Sequence, residues 1–151
     1  MAEHMDPNAR SRSLPATAPA RDPRLRAVAV AAAVFGAVTL YAGGTTLFGG
    51  PAARAAAGTV VPFVLWFNFL AGFAYVAAGA GLWGRRRWGV TLAVVIAVAT
   101  LAVFAAFGLH VLGGGEYGMR TVGAMTLRSV AWVAIAWFGA RRTRRPAASA
   151  A

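Results

Sequence analysis

The 151-residue chain has no cysteine, no lysine and only four acidic side chains: Glu3, Asp6, Asp22 and Glu116. Each scarcity excludes some chemistry. Without cysteine there are no disulfides, thiolate metal sites or thiol nucleophiles. Three of the four acids precede residue 23, so paired carboxylates for acid–base work are missing from the body of the chain. Ser129 has neither a His nor a carboxylate at a spacing that would activate it. Histidine is limited to His4 and His110, and stable metal or haem sites need more ligands than one such residue supplies. No cofactor or metal is therefore expected within one copy, although a dimer pairing two His110 rings stays open. Gly113 to Gly115 are not a phosphate loop, because no Lys-Ser/Thr follows them.

Apolar residues are abundant. The chain is 59% hydrophobic and 13% charged, where a soluble domain carries about 25% charged residues. A water-soluble fold of this size would not cover so much apolar surface, whereas lipid can act as its solvent. The formal charge of +11 invites a nucleic-acid reading. However, all fifteen basic residues are Arg and most flank apolar runs, the usual place for cytoplasmic anchors of membrane helices. The patches are short and no recognition module accompanies them, so nucleic acid is not expected as a partner.

Residues 1–22 are polar and rich in Pro, Ala, Ser and Arg, and are expected to form a disordered cytoplasmic tail. A transmembrane domain is expected over residues 23–145, with a short disordered tail at 146–151. Its first apolar run, Ala27 to Phe48, has no charge. It exceeds the 20 or so helical residues that span a bilayer core and is longer than a signal-peptide apolar core. Gly49, Gly50 and Pro51 end it. The second run is Val60 to Trp83, with Thr59 as its expected N-cap and Pro62 in the first turn. The third is Trp88 to Leu112 and the fourth Met119 to Ala140, the least apolar because it holds Arg120 and Arg128. Short links force antiparallel neighbours. The expected fold is all-α: an integral membrane four-helix bundle running up-down-up-down.

Arginine placement supplies an orientation. With the N-terminus inside, twelve Arg fall on the cytoplasmic side, Arg54 and Arg120 on the other, and Arg128 within the bilayer. That skew predicts a multi-pass protein of the bacterial inner (plasma) membrane with both termini cytoplasmic, and Trp83, Trp88 and Trp137 at the cytoplasmic interface.

Arg128 is the residue that most needs explanation. An Arg at the centre of a membrane helix costs about 2.5–3.5 kcal/mol on insertion scales and normally faces the bundle interior. No acid lies in any predicted span. Three readings stay open: donation to backbone carbonyls and polar side chains of neighbouring helices, binding of an anionic ligand or lipid headgroup, or pairing with an acid on another subunit. Asn68 should stand at a similar depth on a face shared with Gly72, Tyr75 and Gly79. Thr121, Met125, Arg128 and Trp132 should share one face of the fourth helix, with Trp132 stacking on Arg128. Tyr41 is expected at the same level. His110, Glu116 and Arg120 are expected to cluster at the outer end, with Glu116 and Arg120 paired if the helix begins early.

The blocks Val61-Pro62-Phe63-Val64-Leu65-Trp66-Phe67-Asn68-Phe69 and Met119-Arg120-Thr121-Val122-Gly123-Ala124-Met125-Thr126-Leu127-Arg128 resemble those of small bacterial four-helix membrane proteins with no assigned function. The likeness covers about Arg26 to Ala140 and implies the fold, but no activity, ligand or named family. Three functions follow as expectations, one of them a lipid-modifying enzyme with His110 as its general base. Another is a non-enzymatic interaction or accessory subunit, acting as a homo-oligomer or with a membrane protein partner and motivated by Gly/Ala-rich helix faces. The alternative is binding or transport of an anionic or amphiphilic small molecule in an outward-facing polar pocket, with Arg128 and Asn68 at its floor, His110, Glu116 and Arg120 at its mouth, and Tyr41 nearby.

Overall fold

The computed structural model describes residues 23–143. The tails expected at 1–22 and 146–151, with Arg144 and Arg145, lie outside the described residues. Five helices follow in order: α1 (Pro23–Phe48), α2 (Gly50–Ala57), α3 (Pro62–Trp83), α4 (Arg87–Leu112) and α5 (Met119–Thr143). Four of them, all but α2, are long and apolar enough to cross a membrane. Among the described residues there is no strand.

The helix ends have local causes. α1 begins at Pro23, ahead of its apolar run, because proline suits a first turn and Leu25 is buried there against its neighbours. α3 begins at Pro62, which corrects the expected cap. A residue before proline is driven to extended geometry, so Val61 (φ −90°, ψ 114°) precedes the helix and Thr59 does not cap it. α2 was not expected, since Gly49, Gly50 and Pro51 look like a break. Pro51 instead occupies the first turn, and the alanines after it are the strongest helix formers. Gly58, at φ +73°, then ends α2 in a backbone conformation open to glycine. Arg54 Nη2 donates to Leu47 O at 3.1 Å and ties α2 to the end of α1.

α1 packs along α3, α3 along α4, and α4 along α5, while α1 scarcely meets α5. Glycines close the first two seams. A Cβ on Gly79 would lie 2.8 Å from Ala29 O, and one on Gly36 would lie 2.9 Å from Val76 N. Where α3 turns into α4, a Cβ on Gly81 would lie 2.7 Å from the Gly89 Cα. Small residues let helix backbones approach this closely.

Three buried clusters follow one another along the bundle. Leu25, Ala29 and Leu82 pack with Val90, Ile135 and Phe138 at one end. Val61, Val64, Phe107 and Met125 pack at the other. Between them lies a layer of Ala32, Ala78, Ala93, Ala97 and Ala136, into which Tyr75 and Trp132 are fully buried. Val34, Val38, Phe73, Val98, Leu127 and Val130 point outward and are exposed, an apolar surface suited to lipid. Trp83, Trp88 and Trp137 are half-exposed near the first end. There the guanidinium of Arg26 sits 4.9 Å from the Trp83 ring and that of Arg141 3.7 Å from the Trp137 ring.

Candidate functional site

Because α1 and α5 scarcely touch, a cavity of about 300 Å³ remains between them. α1 lines it with Thr39, Ala42, Gly43 and Thr46, α3 with Val64, Leu65 and Asn68, and α5 with Arg120, Thr121, Ala124 and Arg128. Ala57, the last residue of α2, lies at its rim. Ala42 and Ala124 line the cavity and are also exposed, so it opens sideways between α1 and α5. No residue of the alanine layer lines it, and in that layer the tilted rings of Tyr75 and Trp132 lie with centroids 4.5 Å apart. The cavity is a blind pocket and does not run through the bundle.

Arg128 forms the inner wall. It is only 8% exposed. Its Nη1 reaches Met125 Sδ at 3.8 Å, a thioether and hence a weak acceptor. Its Nε is buried with no hydrogen-bond partner. The Phe35 ring lies 5.8 Å from the guanidinium carbon, and a cation over an aromatic face is only modestly stabilised. Asn68 draws on the same sulfur, with Nδ2 3.8 Å from Met125 Sδ, and its Oδ1 is buried without a partner. Behind them Ser129 Oγ and Trp132 Nε1 are also buried and unbonded. A buried polar group without a partner costs about 1–3 kcal/mol, so this concentration of unpaired polar groups is energetically expensive for the protein alone.

Arg120 stands two turns nearer the start of α5, about 12 Å along the helix from Arg128. It is exposed, lines the cavity and donates from Nη1 to Ala56 O at 3.4 Å, linking α5 to α2. No lining residue carries a carboxylate, imidazole or thiol. In a medium of low dielectric, charge of one sign without compensation attracts the opposite sign strongly. The lining suits holding an anion and contains no general base.

The structure brings Arg128, Asn68 and Arg120 to one cavity and leaves three other candidates outside it. Tyr41 is 75% exposed on the outer side of α1 and does not line the cavity. His110 is exposed, edge-on to Phe63 at 6.1 Å, with Nε2 3.4 Å from Glu116 O. Neither His110 nor Glu116 lines the pocket. Glu116 does not pair with Arg120, because α5 begins at Met119 and Glu116 falls before its first turn. Trp132 packs its ring, tilted, against Tyr75 rather than on Arg128, and Phe35 takes the place expected of it. Thr39 and Thr46 were not anticipated. Their signal was present in the sequence: Thr39, Gly43 and Thr46 recur at the spacing of one helical face.

Fold and site together define a helical membrane protein with a blind cationic pocket on one side. The chain matches no protein-family model, no curated protein and no solved structure.

Proposed function

We propose that this is a non-enzymatic, multi-pass protein of the bacterial inner (plasma) membrane, running up-down-up-down with both termini cytoplasmic. Its pocket, facing outward, binds an anionic, amphiphilic small molecule. Arg128 carries the reading: an arginine only 8% exposed, with a sulfur as the hydrogen-bond partner of its Nη1, on the wall of a cavity whose described lining residues include no acid. Intramembrane cations are expensive and are usually kept for a partner. An anion in the pocket would accept from the Arg128 guanidinium where it lines the cavity and draw on Arg120 at the mouth.

The orientation rests on Arg26, Arg85 to Arg87 and Arg141 standing at the end away from the pocket, where excess arginine marks the cytoplasmic side. Tags on the two termini should both report from the cytoplasm, and opposite reports would overturn the topology.

The decisive experiment compares wild type with Arg128→Gln, each purified in mild detergent and examined by mass spectrometry for retained lipids and metabolites. Wild type should carry an anionic amphiphile and the variant should lose it without losing thermal stability. Equal retention and equal melting would refute the pocket, and a loss of stability alone would make Arg128 a structural residue.

One observation favours the accessory-subunit reading. An apolar furrow of about 480 Å³, lined by Leu101, Val130, Val133 and Trp137, faces outward between α4 and α5. Native mass spectrometry showing a stable oligomer or a copurifying protein would support it. The glycines that first suggested it are largely used within the chain: Gly36, Gly72, Gly79, Gly81 and Gly89 all meet its own helices.

A further inference from the structure

Resting on the anion-binding reading, we propose that the ligand is a phosphate monoester carried on a hydrocarbon chain. The phosphate lies between Arg120 and Arg128, and the chain leaves through the gap between α1 and α5 into the outer half of the membrane.

Charge indicates the headgroup. The pocket offers two arginines and no acid. A phosphate monoester carries about −1.5 to −2 near neutral pH, closer to that balance than a single carboxylate. The planar guanidinium also matches phosphate oxygens two at a time, and the hydroxyls of Thr39 and Thr121 on the cavity wall add smaller donors.

Volume and shape indicate the chain. About 300 Å³ is the space of roughly ten waters, at the lower limit of small-molecule sites. It accommodates a headgroup but not a long acyl chain, so a chain must continue outside. The way along the bundle axis is partly roofed by α2, which Arg54 ties to α1 and Arg120 ties to α5. The sideways route is bordered by the methyl groups of Ala42 and Ala124. These residues stand six positions before the end of α1 and five after the start of α5, about 8–9 Å below the helix ends. The outward neighbours Val38 and Leu127 are exposed and apolar, so a chain emerging there enters hydrocarbon.

The test uses the full chain in dodecyl maltoside. It is titrated with oleoyl lysophosphatidate, oleoyl lysophosphatidylcholine, oleate, glycerol phosphate and inorganic phosphate, with tryptophan fluorescence and thermal shift as readouts. Lysophosphatidate should bind at least about tenfold more tightly than any other probe, and Arg128→Gln should weaken it by about tenfold or more. Ala124→Trp, which fills the gap, should weaken lysophosphatidate while leaving glycerol phosphate unchanged. If Arg128→Gln does not fold, Arg120→Gln at the exposed mouth supplies the same comparison. Equal binding of oleate or lysophosphatidylcholine would overturn the phosphate assignment. Glycerol phosphate or inorganic phosphate binding as tightly as lysophosphatidate, unaffected by Ala124→Trp, would overturn the chain and point to a water-borne phosphate, with the anion pocket intact. If no anionic probe binds wild type, both this inference and the anion-binding reading fall.

Discussion

α1 has two flanks of similar composition that behave in opposite ways. Towards α3, Gly36 receives the Tyr75–Val76 backbone and Ala29 and Ala33 receive Gly79, so the two helices touch main chain to main chain. Towards α5, Thr39, Ala42 and Thr46 are also small, yet a cavity remains. The difference lies in the partner. α3 presents glycines in register with α1, whereas α5 presents Arg128, Thr121 and Arg120, whose polar groups gain nothing from being pressed against alanine. Small side chains therefore permit close approach without causing it. The facing residue decides whether the space closes or is kept.

The largest effect should come from breaking the closed flank. Gly79→Leu would force a side chain into a position where even a Cβ lies 2.8 Å from Ala29 O and 2.9 Å from Ala33 N. Overpacking of this kind costs about 3 kcal/mol or more where backbone must move. The expected result is a steep fall in thermal stability in detergent, and an unchanged melting curve would show that this seam is not closed.

The open flank should respond in the other direction. Arg128→Met keeps much of the length and removes the charge. Replacing a buried charge by an apolar group is often neutral or stabilising, so delipidated protein should gain about 2 kcal/mol while anion retention is lost. Chemical unfolding of ligand-free protein measures this, and a loss of similar size would mean that the guanidinium holds the helices together.

The smallest effects mark the edges of the comparison. Gly123 has nothing within 4 Å of an added Cβ, and Tyr41 faces outward. Gly123→Ala and Tyr41→Phe should each change stability by no more than about 0.5 kcal/mol and leave binding of the anionic probe unaltered. A marked effect of Gly123→Ala would show that this face of α5 packs against another molecule.

The four long helices were legible because long apolar runs bounded by Arg or Gly have few other solutions, even where Arg120 and Arg128 interrupt the fourth. α2 was not, since Pro51 reads equally well as the end of one helix or the first turn of another. Arg128, Asn68 and Arg120 could be brought to one neighbourhood from their depth along helices that share an end. Tyr41 and Trp132 were misplaced for another reason. Depth follows from counting residues, but rotation about the helix axis depends on an amphipathic pattern, and α1 is apolar almost all round. Only the neighbours settle that rotation. His110 and Glu116 depend on the path of the turn between α4 and α5, where Gly114 takes φ +83° and redirects the chain.

The contact between Gly81 and Gly89 has a mechanical consequence. With no side chain between the two backbones, α3 and α4 have nothing compressible at that crossing, and it acts as a fulcrum. Any breathing of the bundle must be least there and must grow with distance along the helices. The helix ends that frame the pocket lie at the far tip of that lever, so a slight tilt at the crossing would change the width of the pocket more than that of the arginine-bearing end.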